Sequence, residues 1–303
     1  MSVSGAELAR RELGAFLRHR RERLATGPRR PRARARGATR ESVAEAAGIS
    51  APWYARVEQA RAPGLTEATL GTICTALALD PVESAYASRL LEASRGEPPA
   101  DDARKETAAG STVDAPTVRA LISELRDAPA YVIDERWRVL AFNEASTLLH
   151  GKLDESAQTG GEVARNCLWW HFTNASFRRS LQDAERVLAY LAALFRHSTA
   201  RAAGEPWRTA LIEAVSAHSD DFARLWRAQG VTDWNVTEKR FEHPTVGTLR
   251  FTNVSHTVEP MARSGSAPGG GPTLRVVSYL PVEGSGTRAK VEAFVARTGG
   301  SGA

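Results

Sequence analysis

The sequence predicts a multi-domain chain, with an all-α helix-turn-helix head of five helices followed by an α+β domain built on an antiparallel sheet. Apolar residues recur at helical spacing up to residue 93. A polar stretch containing Pro and Gly then covers 94–115, and runs of β-branched and aromatic residues follow it. A chain of 303 residues is long enough for two domains.

We therefore expect four segments along the chain. They are a helical head, a linker, an α+β domain and a carboxy-terminal tail, over residues 1–93, 94–115, 116–285 and 286–303. Within the head, residues 26–38 alternate Arg with Ala and Pro, which predicts a mobile basic loop instead of a packed element.

The most informative stretch is 39–60, whose pattern is typical of a helix-turn-helix. Its first predicted helix has an apolar face formed by Val43, Ala44 and Ala47. Gly48 supplies the turn, Ser50 caps the second helix, and Pro52 lies in its first turn, where a missing N–H costs nothing. Two short helices crossing at a glycine turn expose one face of the second helix, and that face fits the major groove. We therefore expect double-stranded DNA as a partner.

The charge of the chain is unevenly distributed, which supports this expectation. The overall charge is +5, but residues 1–61 hold fourteen Arg against six Glu, so this segment carries +8 and the remainder −3. A basic head on an acidic body predicts that the head meets a polyanion. The basic loop, with Arg30, Arg32 and Arg34, would then lie along the phosphate backbone. The alternative is a solvated charged face.

One arginine falls on the inward side of the first helix. Arg21 lies four residues after Leu17 and three before Leu24, and Glu58 lies four after Tyr54 on the second motif helix. We expect a half-buried ion pair between Arg21 and Glu58. The alternative is that Arg21 extends outward along its aliphatic stem.

The second domain alternates helical and strand patterns. Strands are predicted at 130–133, 137–142, 238–242, 248–258 and 274–280, and helices at 176–198, 207–216 and 219–229. Two strands, several helices and three further strands predict an antiparallel sheet with helices on one side.

Residues 165–172 form the densest group of polar and aromatic side chains. A site for an amphiphile needs apolar walls and a few polar groups. The walls are predicted at Tyr131, Phe142, Trp169, Trp170 and Phe172, and the polar end at Arg165 or Asn166. Arg240 and His243 are further candidates for orienting a ligand or for pairing with an acidic neighbour. The alternative for the aromatic residues is an ordinary core.

The sequence carries no pattern typical of catalysis. It lacks a phosphate-binding glycine loop, a nucleophile elbow and a histidine pair with zinc spacing, so we expect no enzyme, metal or cofactor. No apolar run reaches the ~20 residues of a membrane span, and no signal core is found, so we expect a cytoplasmic protein without a membrane partner. Cys74 and Cys167 predict neither a disulfide framework nor a metal site.

Several motifs carry a resemblance to a known family. The head resembles Cro/C1-type (XRE-family) repressor domains. The runs LGAFLRHRRERL, GISAPWYARVEQAR, ARNCLWWHF, FARLW and KRFEHPTVGTLRF resemble those of the MmyB-like regulators over residues 10–285. This chain has Ala60 where family members often have glycine.

The resemblance implies a bacterial transcription regulator with a PAS-like ligand-binding domain that senses small apolar or fatty-acid-like molecules, and it implies a homodimer. The residues that the resemblance places toward the DNA groove are Ser50, Ala51, Pro52, Trp53 and Arg56. Arg40 would lie on the side of the DNA backbone. Arg56 would contact a guanine or a phosphate. Trp53 would contact a thymine methyl or a sugar, or pack on a neighbouring helix. The alternatives are a ligand-independent repressor, or a small-molecule-binding protein or enzyme whose head binds a protein.

Overall fold

The chain divides into two compact units in a computed structural model that describes residues 4–24, 37–96, 115–151, 161–258 and 273–299. The first, here called the helical unit, comprises Met1–Pro99, Arg196–Ala210 and Ala228–Asp233. The second, here called the sheet unit, comprises Ala100–Phe195, Leu211–Arg227 and Trp234–Ala303.

Five helices form the amino-terminal part of the helical unit, as the sequence predicts. They are α1 (Gly5–Arg23), α2 (Arg40–Ala47), α3 (Ala51–Glu58), α4 (Glu67–Ala76) and α5 (Pro81–Ser94). The hydroxyls of Thr39 and Thr66 accept hydrogen bonds from N–H groups three residues later, and Asp80 forms a capping box with Glu83. The starts of α2, α4 and α5 are therefore specified by local sequence.

The helices pack closely around one apolar core. The rings of Phe16 and Tyr86 meet edge to face with centroids 4.9 Å apart, which joins α1 to α5. Gly14 allows α1 to approach α3, because an added Cβ would lie 2.6 Å from the carbonyl oxygen of Glu58. Any larger residue at position 14 would therefore separate the two helices.

Residues from much later in the sequence complete the helical unit with a buried ionic cluster. Glu12 on α1 accepts hydrogen bonds from Arg208 at 2.7 and 2.9 Å and from Arg196 at 3.3 Å. The hydroxyl of Tyr86 donates to the same carboxylate at 2.7 Å. Burial alone would raise the pKa of Glu12, but the two guanidinium groups outweigh it and lower the pKa to about 2. Segment 196–210 is thus joined to α1 by charge.

The sheet unit contains a five-stranded antiparallel sheet of order β2-β1-β5-β4-β3. Its strands are β1 (Ala130–Ile133), β2 (Val139–Phe142), β3 (Thr237–His243), β4 (Gly247–Val258) and β5 (Leu274–Pro281). β1 is buried along its whole length, whereas β3, at the edge, alternates exposed and buried positions. The alternation places Lys239 and Phe241 on the same, buried face.

Nine α-helices of the described residues follow the linker region. They are α6 (Ala115–Ser123), α7 (Thr147–His150), α8 (Gly161–Ala164), α9 (Cys167–Thr173), α10 (Ala175–Ser180), α11 (Ala184–Ser198), α12 (Pro206–His218), α13 (Asp220–Arg227) and α14 (Thr287–Gly299). Ile122 of α6 packs against Val132 and Val276 on one face of the sheet. Phe177 of α10 meets Phe241 on the other face, with ring centroids 5.6 Å apart.

The predicted antiparallel sheet is confirmed, but helices cover both of its faces and not one. The reason is that β1 is buried on both sides, so each face needs an apolar cover. The predicted helix over 176–198 is two helices, α10 and α11. The segment 286–303, predicted only as a tail, contains α14.

We expect the substitution Glu12→Gln to destabilise the chain by about 3–5 kcal/mol, because the buried guanidinium groups of Arg196 and Arg208 lose their counter-charge. The matched control is Glu92→Gln, since Glu92 pairs with Arg201 at the surface and should contribute under about 1 kcal/mol. Urea unfolding followed by circular dichroism measures both values.

The loss of stability in Glu12→Gln depends on pH, and the pKa of Glu12 gives the sign of this dependence. The folded-state pKa of Glu12, about 2, lies below its ordinary value of 4.5. The ionised carboxylate therefore contributes stability above pH 4.5 and loses it as the pH falls towards 2. The deficit of Glu12→Gln should shrink over this window. A deficit no larger than that of Glu92→Gln at neutral pH would contradict the ionic cluster.

Candidate functional site

The turn between α2 and α3 depends on a single glycine. Gly48 has φ of 69°, in the left-handed region, and nothing lies near the place where its Cβ would be. Glycine is therefore required at position 48 for its backbone conformation and not for lack of space beside it. The amide of Ile49 donates to the carbonyl of Ala44 at 2.9 Å, which closes the end of α2 before α3 begins.

One side of α3 is buried and the other is exposed. Tyr54, Val57 and Glu58 are buried, whereas Ser50, Pro52 and Arg56 are exposed. Arg56 lies four residues after Pro52, so these two side chains share a face of the helix. The exposed side of α3, formed by Ser50, Pro52 and Arg56, is here called the recognition face.

The other predicted groove residues lie at the margin of the recognition face. Ala51 and Trp53 are half-buried and pack against the core of the helical unit. Trp53 therefore packs within its own unit, which was the alternative to a DNA contact for this residue. Ser50 begins α3 without a side-chain capping hydrogen bond, so its hydroxyl is not used as the predicted cap.

The recognition helix is anchored from its buried side by an ionic cluster. Arg21 donates to both carboxylate oxygens of Glu58, with Nε–Oε1 at 2.5 Å and Nη2–Oε2 at 3.2 Å. Arg40 donates from Nε to Oε2 at 2.7 Å, and Arg21 also donates to the carbonyl of Ala38 at 3.0 Å. Arg21 and Glu58, proposed as a pair from their helical spacing, thus lie together, and α1, α2 and α3 converge on one carboxylate.

The protonation of Glu58 follows from these contacts. Its side chain is 1% exposed, and burial alone would raise its pKa. The hydrogen bonds from Arg21 and Arg40 outweigh burial, so the pKa lies below its ordinary value. Glu58 is therefore ionised at neutral pH. Arg40 remains 39% exposed while it pairs with Glu58. The predicted backbone contacts Arg30, Arg32 and Arg34 lie outside the described residues.

Ala60, just after α3, has φ of 59°. This is the left-handed conformation that glycine adopts without cost and alanine does not. The amide of Arg61 still donates to the carbonyl of Arg56 at 2.8 Å. The helix therefore ends through the same backbone geometry that a glycine would permit, although this chain carries alanine.

In the sheet unit, the face of the sheet that carries Lys239 and Phe241 holds several polar groups. Lys239 of β3 is 2% exposed, and its Nζ lies 3.4 Å from the hydroxyl of Tyr279 and 4.9 Å from the centre of that ring. Tyr131 of β1 is also buried on this sheet face, with its ring centroid 6.4 Å from that of Tyr279. Three strands thus direct polar atoms to one place.

Short helices supply the opposite side of this place. Cys167 and His171, four residues apart on α9, lie on one helix face. The Sγ of Cys167 is 3.5 Å from the Tyr131 hydroxyl and 3.4 Å from Nδ1 of His171. His150, at the end of α7, has its ring centroid 5.5 Å from that of His171. We call the six residues the polar cluster: Tyr131, His150, Cys167, His171, Lys239 and Tyr279.

Burial keeps the groups of the polar cluster in their neutral forms, except Lys239. It lowers the pKa of His171 to about 3 and that of His150 well below 6.5, and the charge of Lys239 acts in the same direction. Burial raises the pKa of the Cys167 thiol to about 12. The pKa of Lys239 is lowered by burial to about 8, so at neutral pH its ammonium is still mostly protonated.

The predicted ligand residues are distributed over several places. Tyr131 belongs to the polar cluster, and the ring of Trp170 lies 6.5 Å from that of His150. Phe172 packs on Phe222, with centroids 4.9 Å apart, and Trp169 packs on His218. The structure therefore places Phe172 and Trp169 in other aromatic contacts.

Neither residue predicted for the polar end of the ligand site belongs to the polar cluster. Arg165 is exposed. Asn166 is buried, but its side chain caps α9 through the amide of Leu168 and donates to the carbonyl of Arg136. Phe142 is half-buried at the end of β2. Arg240 is exposed and pairs with Glu238, at 3.0 Å, which is the acidic-neighbour alternative.

Comparison with known families identifies the domains that contain the recognition face and the polar cluster. The family described as MmyB-like transcription regulator ligand binding domain matches residues 115–292, more than half of the chain. The chain belongs to this family. A helix-turn-helix domain matches residues 12–87, and a comparison with curated proteins found no match. This MmyB-like protein is thus a DNA-binding transcription regulator with a ligand-binding domain.

The matched ranges contain the two places described above. The recognition face falls within the helix-turn-helix match, and all six residues of the polar cluster fall within the ligand-binding match. Among the described residues, no helix is long and apolar enough to cross a membrane. The same part of the chain holds no group of His, Cys, Asp and Glu arranged for a metal ion.

Three residues of the polar cluster were not predicted as site residues from the sequence: Lys239, His150 and His171. Lys239 could have been found, because Lys239 and Phe241 are both buried on an alternating strand that the sequence does predict. His150 and His171 carry no such signal. They lie on helices of four and seven residues, which are too short for an apolar period to be recognised.

We expect Arg21→Ala to destabilise the helical unit by about 3 kcal/mol, because Glu58 loses one of its two partners in a buried place. The value should lie at the low end of the usual range for buried pairs, since Arg40 stays on the carboxylate. Arg18→Ala is the matched control. Arg18 is exposed on the same helix, 3.9 Å from Glu22, and should change stability by under about 1 kcal/mol. Equal losses in urea unfolding would contradict the anchoring role of Arg21.

Proposed function

We propose that this MmyB-like regulator binds DNA sequence-specifically as a homodimer and senses a small apolar or fatty-acid-like molecule through its carboxy-terminal domain. The observation that carries the DNA half is the recognition face. Ser50, Pro52 and Arg56 are exposed on a helix whose opposite side is fixed by Glu58. A rigid helix with an exposed face is what insertion into a major groove requires. Because its partner is DNA, we place this bacterial protein in the cytoplasm.

Arg56 is the proposed base-reading residue. Among the described residues, its Nε lies 3.5 Å from the carbonyl oxygen of Pro52, a contact that leaves the terminal nitrogens of the guanidinium available for the two acceptors of a guanine. Ser50, Ala51, Pro52 and Trp53 would surround the same base pairs. Arg40 and the arginines of the basic loop, including Arg30, Arg32 and Arg34, would contact phosphates and add affinity without sequence information.

The ligand half of the proposal is supported by the composition of the sheet unit. Aromatic rings surround the polar cluster, including Phe177, which stacks on His150 with centroids 4.9 Å apart. Apolar walls with few polar groups are typical of sites for small amphiphiles. Among the predicted residues, Tyr131 and Trp170 lie at this place, and we propose them as ligand contacts. Phe142, Arg165, Asn166, Trp169 and Phe172 stay as predictions from the sequence.

The proposed mechanism is thermodynamic linkage. A ligand alters DNA binding only if its affinity differs between DNA-competent and DNA-incompetent states of the chain. A shift from almost fully incompetent to almost fully competent needs about 5.5 kcal/mol of differential affinity. A smaller preference would give a graded response.

Two alternative functions, an enzyme and a ligand-independent repressor, would require different features of the protein. An enzyme could use Cys167 and His171, which lie within 3.4 Å of each other. Burial, however, keeps both the thiol and the imidazole neutral, whereas a nucleophilic pair needs a thiolate. A ligand-independent repressor would have a core that binds no amphiphile at all. Native mass spectrometry of the purified protein distinguishes this case, because a ligand-independent repressor would carry no lipid-sized molecule.

We expect Arg56→Ala to weaken operator binding and to relax preference at one base pair of each half-site by about 1–3 kcal/mol. The measurement is selection of binding sites from a random duplex library with the full-length protein, followed by affinity measurements on the selected site. The wild type should select a two-fold symmetric motif, and the variant should select the same motif with one degenerate position per half.

Arg11→Ala is the matched control, because Arg11 is an exposed arginine on α1 of the same unit and pairs with Glu7. It should leave both motif and affinity unchanged. A uniform loss over all sequences in Arg56→Ala would show a phosphate contact in place of base recognition. Failure of the wild type to select any motif would contradict sequence-specific binding.

A further inference from the structure

Residues Arg196–Ala210 belong to the helical unit, although their place in the sequence is inside the ligand-binding match. The helix-turn-helix match ends at residue 87, and the ligand-binding match covers 115–292. We call Arg196–Ala210 the clasp. The unit that carries the recognition face therefore contains a segment from outside the helix-turn-helix match.

The clasp is part of the apolar core of this unit. Ala200 and Ala203 are buried in the same core cluster as Phe16 and Leu17 of α1. The short 3-10 helix Ala200–Ala202 packs on α5. Apolar contacts of this kind stabilise the clasp, but they are not directional, so they do not by themselves fix the position of α1.

The directional contact is the bidentate pair between Arg208 and Glu12 of α1. Nη1 and Nη2 of Arg208 donate to the two carboxylate oxygens at 2.7 and 2.9 Å, and its Nε donates to Oγ1 of Thr199 at 2.9 Å. Arg196 donates to the same carboxylate at 3.3 Å. Two parallel hydrogen bonds between planar groups fix orientation as well as distance. The clasp thereby fixes where Glu12, and with it α1, lies.

The helix that the clasp holds is also the helix that holds α3. Gly14 lies two residues after Glu12, and a Cβ at this position would lie 2.6 Å from the carbonyl oxygen of Glu58. Arg21, on the same helix, donates to both carboxylate oxygens of Glu58. Because α1 is one continuous helix, a displacement at Glu12 also displaces these two contacts. The position of α3 therefore depends on the contact between the clasp and Glu12.

Base recognition tolerates little displacement of α3. The hydrogen bonds by which an arginine reads a guanine have donor–acceptor distances of about 2.7–3.2 Å, and both must form together. Arg56, which we propose for this role, is carried by α3. A shift of about 1 Å in this helix would therefore stretch the contacts beyond that range.

We propose that the clasp is part of the DNA-binding machinery, and that Arg208 is a positioning residue for the recognition face, acting through Glu12 and α1. The inference rests on the proposed recognition of DNA by α3 and adds to it a dependence on residues of the ligand-binding match. Arg208 and Arg196 are 3% and 1% exposed, so their guanidinium groups are not accessible to a phosphate. The effect of Arg208 on DNA binding is therefore indirect.

The test measures the affinity of the full-length protein for the selected duplex by fluorescence anisotropy, at a temperature where circular dichroism shows each variant to be fully folded. In Arg208→Met the Kd should rise about tenfold or more, because a displaced α3 loses contacts of the kind proposed for Arg56. The slope of log K against log salt concentration should stay that of the wild type, because no phosphate contact is removed. A residue that only stabilised the fold would lower the Tm and leave the Kd of the folded protein unchanged.

The matched control is Arg201→Met. Arg201 also lies in the clasp, but it is exposed and pairs with Glu92 on α5 at 2.9 Å. This variant removes an equal charge from the same segment, and an exposed ion pair contributes little, so the Kd should stay within about twofold of the wild type. The control thereby separates the buried contact with α1 from a change in net charge.

A double-mutant cycle tests whether Arg208 acts through Glu12. Glu12→Gln should weaken DNA binding as well, and Arg208→Met added to it should cause little further loss, because the pair is already broken. Losses in affinity that multiply in the double variant would show that Arg208 acts by another route, and would overturn the proposal.

Hydrogen–deuterium exchange of the wild type tests the same claim without a substitution. Binding of the duplex should slow amide exchange in the clasp as much as it slows exchange in α1, because both belong to one cooperative unit. Slower exchange in α1 with no change in the clasp would overturn the proposal. This measurement decides the case if Arg208→Met does not fold.

The remaining outcomes separate this inference from the proposed function. If Arg208→Met is folded and binds the duplex as tightly as the wild type, the positioning role fails while DNA recognition by α3 stands. A salt slope that becomes less steep by about 1 would show a direct phosphate contact of Arg208 and would also overturn the inference. If the wild type selects no duplex, the proposed function fails and this inference with it.

Discussion

The recognition face depends on one carboxylate, that of Glu58. It accepts hydrogen bonds from Arg21 on α1 and Arg40 on α2 while it lies on α3, so three helices meet at a single buried charge. The helical period then determines the rest. With Tyr54 and Glu58 turned inward, Pro52 and Arg56 must lie on the opposite side. An ionic contact inside the unit thus sets which residues of α3 are available to DNA.

Three buried charged groups show how the same energetics can serve stability or function. Glu12 and Glu58 each have two arginine partners, and each carboxylate has a lowered pKa although it is buried. Lys239 is 2% exposed and lacks an acidic partner among the described residues. The paired acids hold helices together. The unpaired cation is the kind of group that a ligand can complete, and it lies in the ligand-binding part of this MmyB-like regulator.

Much of the architecture could be predicted because its determinants are local. Apolar residues at helical spacing and side-chain caps predicted the five helices of the head, and β-rich runs predicted the strands. Arg21 and Glu58 could be proposed as partners because each interrupts an apolar face at the right spacing. The role of 196–210 in the helical unit had no local signal, since the contacts of Arg208 with Glu12 join residues far apart in sequence.

The ligand-binding part shows the same limit. Aromatic density around 165–172 indicated the right region, but it did not distinguish Trp170, near His150, from Phe172, which packs on Phe222. The polar cluster draws on three strands and two short helices, and side chains brought together in this way leave no spacing to recognise. Only the alternation along β3 identifies Lys239 from the sequence.

The central claim, that the helical unit binds duplex DNA, is tested most directly by the salt dependence of its affinity. We expect log K for a selected duplex to fall linearly with log salt concentration. A slope of about −4 or steeper would correspond to the release of counter-ions from about four or more phosphates. A slope near zero, or binding that rises with salt, would contradict the account and favour a head that binds a protein.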